Sequence, residues 1–396
     1  MRLVRLAEST GCYYTRYADD LTFSTNKEKF PEEISVEAKD DACSWLVGEK
    51  LEHLIRRSGF SINSKKTRMQ YRDSRQEVTG LVVNRKVNIK SEYRHTVRAM
   101  VHRLFTTGSF DFEKIEVTEA GVTSVKKAPG SLEQLHGMLG FVDWIDLENR
   151  KHAPKGGMPS ISSKELMYRQ FLMFKEFYAA PTPIVICEGK TDNIYIEKAI
   201  KSLSGSYPEL AGVESENEIK LKVRIFKYSE TSTGRILGLG GGTSDLARFI
   251  HAFKSDVSRF HSPGMRHPVI ILIDNDSGAN AVLSAVSQLI RPSKPDRSLP
   301  FIHVFKNMYV VLTPISDSIK ESMIEDLFDD ATKSEMVAGK KFDPSNDFNA
   351  SISYGKSDFA NKVVKIGAGK INFSGFSPLL DRLVAVIKDH AARGVQ

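Results

Sequence analysis

Residues Val269–Ile273 read Val-Ile-Ile-Leu-Ile, and this run stops at Asp274-Asn275-Asp276. A run without one polar residue, set between segments that read as helices, indicates a strand of a parallel sheet covered on both faces. Ile184–Cys187 is a second such run and is followed at once by Glu188. Ligands of sheets of this kind sit at the carboxyl ends of the strands. The acids at 188, 274 and 276 therefore stand where chemistry is expected.

The rest of the chain divides around Ala179-Ala180-Pro181-Thr182-Pro183, because paired prolines cannot continue a helix. Its 396 residues leave room for two or three domains. Before the prolines, residues 1–90 read as short strands and one helix. That helix is expected over Val36–Ser58, where Ala42, Leu46, Leu51, Leu54 and Ile55 repeat at helical spacing up to Gly59. Phe60–Met69 and Glu77–Val83 read as extended. Residues 91–179 read as mostly helical, over Tyr93–Phe105, Ser131–Asp146 and Ser163–Tyr178, with a loop at Lys151–Ser163. After the prolines, helices are expected over Thr191–Ser204 and Ser244–Lys254, and a strand over Lys222–Phe226. The expected fold class is multidomain, α+β and then α/β. A net charge of +7 is compatible with a nucleic-acid partner. Three cysteines without metal-like spacing point to a reducing cytoplasm. No apolar run approaches the ~20 residues of a membrane span.

Two stretches carry the chemistry. The first is Tyr17-Ala18-Asp19-Asp20, lying between Cys12-Tyr13-Tyr14 and Leu21-Thr22-Phe23. It reads as a hairpin tip that holds a divalent metal. Adjacent acids on a strand point to opposite faces, so a turn is needed for both to contribute. Taken alone, two acids in a turn are a solvated turn. Gly59-Phe60-Ser61-Ile62-Asn63-Ser64-Lys65-Lys66-Thr67 and then Val78-Thr79-Gly80-Leu81-Val82-Val83-Asn84 follow it. This ordered set resembles bacterial reverse transcriptases, and the Val-Thr-Gly piece is most similar to those of retrons. The resemblance implies that residues 1–90 are part of a palm, with Asp19 the principal metal ligand and Asp20 the weaker one. The asparagine and lysines of the second segment would lie near the nucleotide and primer end, and the Val-Thr-Gly strand would help form the primer grip. Residues 91–179 would be the helical thumb. The family has a further metal-binding Asp on an earlier strand, and only 16 residues precede Tyr17. The resemblance therefore implies an incomplete catalytic domain that does not polymerise DNA alone.

The second stretch is Ile184-Val185-Ile186-Cys187-Glu188-Gly189-Lys190-Thr191-Asp192, with strand-Asp-x-Asp following 86 residues after Glu188. This order resembles the TOPRIM domain of topoisomerases, primases and the nucleases of the overcoming-lysogenization-defect type. The resemblance implies a TOPRIM-like nuclease domain over 181–396. It would bind Mg²⁺, replaceable by Mn²⁺, through Asp274 and Asp276, with Glu188 a further ligand or the general acid/base. The plain reading is that Glu188 caps the next helix and the aspartates solvate a loop. Ser318–Asp330 reads as a helix carrying Glu321, Glu325 and Asp326. By resemblance Glu325 completes a second metal position, while a solvent-facing acidic helix explains it as well. Lys356, in Ser353-Tyr354-Gly355-Lys356-Ser357-Asp358-Phe359-Ala360, resembles the late lysine of those nucleases and would stabilise charge on phosphate. Gly240-Gly241-Gly242-Thr243 opens a helix and offers backbone N–H groups to a phosphate, but lacks the P-loop ending. His95, His102 and His136 have no ligand partners at metal spacing. Trp45 and Trp144 are expected in the core.

Joined in this order, the two parts resemble retron reverse transcriptases with a fused TOPRIM effector. The resemblance implies a structured non-coding RNA and its branched RNA–DNA product as partners, and a nucleic-acid substrate for the nuclease. It also implies a role in antiphage defence, with the polymerase part restraining the nuclease. A topoisomerase would need a tyrosine on a separate gate domain, and a primase zinc-binding cysteines. A non-catalytic protein holding an RNA–DNA duplex is the rival from another class.

Overall fold

The computed structural model describes residues 2–38, 45–117, 123–152, 161–215, 218–315, 320–345 and 347–394. The chain forms two compact units, Met1–Val97 with Met138–Met158, and Arg98–Gly137 with Pro159–Gln396.

The first unit opens with α1 (Arg2–Thr10), followed by the hairpin β1 (Tyr13–Tyr17) and β2 (Asp20–Ser24). A second hairpin, β3 (Ser35–Glu37) with β4 (Trp45–Val47), leads into α2 (Glu49–Arg57). Of the helix expected over 36–58, the described residues are helical only at Glu49–Arg57, and 39–44 lie outside the described residues. Gly48 sets the break. A Cβ there would lie 2.3 Å from the carbonyl oxygen of Glu32, so only glycine lets the two segments approach this closely. Leu6, Ala7, Cys12, Ile34 and Leu51 form a small core under α1 and α2. Phe60–Met69 contains turns and no strand. Beyond it, β5 (Glu77–Val78) and β6 (Leu81–Val82) meet at Thr79-Gly80, both with positive φ (47° and 84°), the geometry of a two-residue hairpin turn. A second small core joins Ile89, Val142 and Ile145.

The chain passes from the first unit to the second within α3 (Ser91–Thr107), forms the hairpin β7 (Asp111–Val117) and β8 (Thr123–Pro129) in the second, and returns to the first within α4 (Leu132–Lys151). The β7–β8 hairpin lies in a region that reads as mostly helical. Trp144, expected in the core, is 51% exposed. Next come α5 (Ser163–Met173) and a π-helical turn at Phe174–Tyr178.

The second unit is built on a five-stranded sheet. In chain order its elements are β9 (Ile184–Cys187), α6 (Asp192–Ser202), the hairpin β10 (Ala211–Ser215) and β11 (Glu218–Leu221), β12 (Arg224–Ile225), α7 (Ser232–Leu237) and α8 (Thr243–Val257). There follow β13 (Val269–Ile273), α9 (Asn280–Leu289), β14 (Ile302–Phe305) and β15 (Met308–Leu312). The strand order is β12-β9-β13-β15-β14, all parallel except β14. Every residue of β9, β13 and β15 is buried, as their unbroken apolar sequences require. Val185, Cys187, Ile270, Leu272, Tyr309 and Val311 face one layer, which α6 and the last helix cover.

The remaining elements are a 3-10 turn at Ile324–Leu327, α10 (Asp330–Lys333), the short parallel pair β16 (Lys341–Phe342) and β17 (Ser353–Tyr354), α11 (Lys356–Asp358), a π-helical segment at Phe359–Val364, α12 (Lys365–Gly367), a 3-10 turn at Ser374–Phe376 and α13 (Ser377–Arg393). The helix expected over 318–330 is this 3-10 turn and the start of α10, and 316–319 lie outside the described residues. The boundary expected at Pro181 falls inside the second unit. Phe171, Leu172 and Phe177 are buried, and Phe177 packs edge-on against Phe226 and Phe249. Asp256 of α8, 1% exposed, receives Arg169 and Gln170 of α5. The segment just before the prolines therefore belongs to the α/β core.

Candidate functional site

Two acidic sites result, one in each unit. In the first unit Tyr17 pairs with Asp20 across the β1–β2 hairpin, leaving Ala18 and Asp19 as its two-residue tip. Ala18 has φ 50°, and its carbonyl receives Arg16 Nε at 2.6 Å. Asp19 and Asp20 are both exposed. They line a broad groove of about 2590 Å³ together with Asn63, Lys65, Lys66, Thr79 and Gly80. The three segments singled out in this half of the sequence thus border one cavity.

In the second unit the parallel register brings the ends of β9 and β13 side by side, Cys187 opposite Leu272. The Glu188 N–H donates to the Leu272 carbonyl at 3.1 Å. Past Glu188 the chain turns tightly into α6, and Asp192 folds back over the turn. Its Oδ2 accepts from the Gly189 N–H at 2.8 Å and its Oδ1 from the Thr191 hydroxyl at 3.2 Å. At the end of β13, Asp274 Oδ1 accepts from the Ile324 N–H at 2.9 Å, which draws the 3-10 turn onto the strand end. Asn275 is fully buried and forms a two-way backbone bridge with Ser322, and its N–H also donates to Thr313 Oγ1 at 2.8 Å. Asp276 Oδ1 caps the Gly278 and Ala279 N–H groups, and Arg297 holds the Asp276 carbonyl at 3.0 Å. Glu325, on the 3-10 turn, is 1% exposed. Its Oε2 receives Lys356 Nζ at 3.0 Å, while its Oε1 is buried without a hydrogen-bond partner.

The electrostatics follow from crowding like charges at a partly dry strand end. Burial, then the carboxylates of Asp192 and Glu325, push Asp274 up to about 8. Burial, then Asp192 and Asp276, raise Glu188. Burial also raises Asp192 and Glu325, the latter against the pull of Lys356. Burial opposes the charge on Lys356, but Glu325 beside it leaves its pKa raised. A cation placed here would relieve this repulsion.

Sequence reasoning gave Asp192 no role, although it belongs to the Glu-Gly-Lys-Thr-Asp run. The signal was its position at the first turn of a helix that begins four residues after a strand-end glutamate. Among the described residues, no three His, Cys, Asp or Glu side chains stand together at the spacing that holds a metal ion. Mg²⁺ keeps several of its waters and needs one or two carboxylates directly. With its partnerless Glu325 oxygen and mutually repelling acids, the donor set fits such an ion. The Gly240–Gly242 loop reaches the same end of the sheet, where the Gly242 N–H meets the Glu188 carbonyl at 3.4 Å. Gly240 N–H is itself bonded to Asp245. No helix among the described residues is long and apolar enough to cross a membrane.

No family model matches this sequence. No solved structure matches the chain. Among curated proteins, the chain is 34% identical over 150 residues to the retron Mx162 reverse transcriptase of Myxococcus xanthus, covering 37% of this chain and 27% of that protein. It is 37% identical over 160 residues to the retron Mx65 reverse transcriptase of the same organism, covering 39% and 30%. With the retron Ec86 reverse transcriptase of Escherichia coli it shares 37% identity over 115 residues, covering 29% and 32%. The chain spans about three-tenths of the length of these curated relatives. Up to two-fifths of this chain is thus similar in sequence to part of a retron reverse transcriptase.

Proposed function

We propose that this chain joins palm and thumb segments of a retron-type reverse transcriptase (1–90 and 91–179) to a TOPRIM-like, Mg²⁺-dependent nuclease. The observation that carries the nuclease half is the convergence of Glu188, Asp192, Asp274, Glu325 and Lys356 at the carboxyl ends of two adjacent parallel strands. Supporting the polymerase half are the shared groove of Asp19, Asp20, Lys65 and Thr79 and the similarity to retron reverse transcriptases. In this reading the partners are a structured non-coding RNA and its RNA–DNA product, and the nuclease acts in antiphage defence under restraint by that product.

Asp274 and Asp276, with Glu188, Asp192 and Glu325 around them, would hold Mg²⁺. The ion supplies charge neutralisation at phosphate and an acidified water. The protein's own groups do the rest. Asp276 keeps Oδ2 for a ligand because the backbone caps take its Oδ1. Glu188, holding its proton more tightly than an ordinary carboxyl, is suited to pass a proton to a departing oxygen. Lys356 brings positive charge toward the phosphodiester. In the first unit, Asp19 and Asp20 would hold a separate Mg²⁺ at the palm.

Lys65 and Lys66 in the groove of the first unit and the net charge of +7 favour a second reading, in which the chain binds nucleic acid without cutting it. One experiment separates them. The full chain is incubated with labelled RNA and DNA oligonucleotides and Mg²⁺, beside Asp274→Asn. Cleavage by the parent and its loss in the variant, with oligonucleotide binding retained, support the nuclease. Binding without cleavage by either protein leaves the binding protein, and equal cleavage by both removes Asp274 from the chemistry.

A further inference from the structure

Tyr195 is fully buried and lies three residues after Asp192 on α6. Its ring meets Phe328 edge-on at 5.2 Å and Phe359 at 6.0 Å. Those two rings meet each other at 5.2 Å and a right angle. Phe328 follows Glu325 by three residues and closes the 3-10 turn that carries it. Phe359 follows Lys356 by three residues. The Tyr195 hydroxyl donates to the Lys356 backbone carbonyl at 3.3 Å. One side chain therefore bears on the three segments that bring Asp192, Glu325 and Lys356 together.

If Tyr195 served only to fill space, phenylalanine would do the same work. The ring accounts for the packing, whereas the hydroxyl is a polar group in an aromatic cluster and is aimed at the backbone of the lysine. A buried polar group is costly unless it is bonded. This one is bonded at the residue whose ammonium sits on Glu325.

We propose that Tyr195 is a positioning residue: its hydroxyl fixes the Lys356 backbone so that the ammonium is held on Glu325 and toward the acidic cluster. The consequence for catalysis rests on the nuclease reading above; the positioning itself does not. The test uses the full chain as Tyr195→Phe, Lys356→Ala and the double variant, with a thermal melt to confirm that each folds. Lysine reactivity is read by mass spectrometry after brief acylation with an isotope-labelled reagent. Tyr195→Phe should raise acylation of Lys356 about fivefold, the worth of one neutral hydrogen bond, and leave the exposed Lys190 unchanged. In cleavage assays kcat should fall by a similar factor at unchanged KM, with no further loss when Tyr195→Phe is added to Lys356→Ala. Unchanged Lys356 reactivity overturns the proposal, as does a full additional loss in the double variant. If Asp274→Asn cleaves like the parent, the nuclease reading fails separately, and Lys356 reactivity alone decides the positioning role.

Discussion

The ammonium of Lys356 lies 3.0 Å from one oxygen of Glu325, and the other oxygen of that carboxylate is buried without a partner. The pair is lopsided, since the lysine side chain keeps 29% of its surface and the glutamate 2%. Removing the lysine strands a buried charge. Lys356→Met in metal-free buffer should therefore destabilise the second unit by about 1–3 kcal/mol, the cost of an unsatisfied buried group with some solvent screening. Adding Glu325→Gln should restore most of that loss. Urea midpoints of the parent, single and double variants check this.

Stability should also depend on pH in a definite sense. Asp274 holds its proton up to about pH 8 in the folded chain, whereas an unfolded aspartate titrates at about 3.9. The folded form binds more protons between those values. Its stabilising contribution is complete below about pH 4 and is lost as pH rises through about 8, at up to about 1.4 kcal/mol per pH unit. Metal-free protein should melt higher at pH 6 than at pH 8.5, and Asp274→Asn should flatten that difference. Melting curves with chelator across this range test it, and a parent curve as flat as the variant's would contradict it.

Asp192 should matter as much as Asp274 and Asp276, which follow β13. Asp192→Asn is expected to lower Mg²⁺-dependent cleavage by about 100-fold or more, because groups that act as one unit fail together. Adding Asp274→Asn should cost little beyond that. Rates of the two single variants and the double variant provide the comparison.

The second unit should need its helical lead-in. A fragment starting at Pro181 strips Phe171, Leu172 and Phe177 from the core and leaves Asp256 buried without Arg169 and Gln170. A fragment of residues 98–396 should melt cooperatively, and one of residues 181–396 should melt lower or precipitate. Calorimetry on both fragments gives the answer.

In the first unit, Asp19→Asn and Asp20→Asn should leave the melt almost unchanged, since exposed substitutions usually stay within about 0.5 kcal/mol. Lys65→Glu with Lys66→Glu should weaken binding of an RNA–DNA duplex and lower the dependence of log affinity on log salt by about 2 if both lysines meet phosphates. Fluorescence anisotropy over a salt series measures both quantities.

What could be read from the sequence was what depends on local pattern. β9 and β13 announce themselves because a strand buried on both faces can carry no polar residue, and their terminal acids follow from that. The same logic fails where strands have no apolar face. β7 and β8 carry Lys114, Glu116, Lys126 and Lys127, so nothing separates them from a solvated helix or loop. In 36–58 the leucine spacing suits a helix, and the decisive fact is the close approach of Gly48 to the Glu32 backbone, a contact between distant segments. Asp192 escaped notice for a related reason. Its place at the strand ends comes from folding back onto Gly189 and lying near enough to Asp274, a residue 82 positions later, to raise the pKa of that residue.

The sheet order has a consequence for how the chain is made. β9 lies between β12 and β13, and both neighbours are synthesised after it, β13 starting 82 residues beyond the end of β9. At ribosomal speeds of about 5–20 residues per second, Ile184–Cys187 waits roughly 4–16 s for that partner. During this interval the edge that β13 later covers lacks its partner strand. A strand buried on both faces is thus the first of its sheet to be synthesised, and chaperone supply during translation should govern the yield of soluble protein.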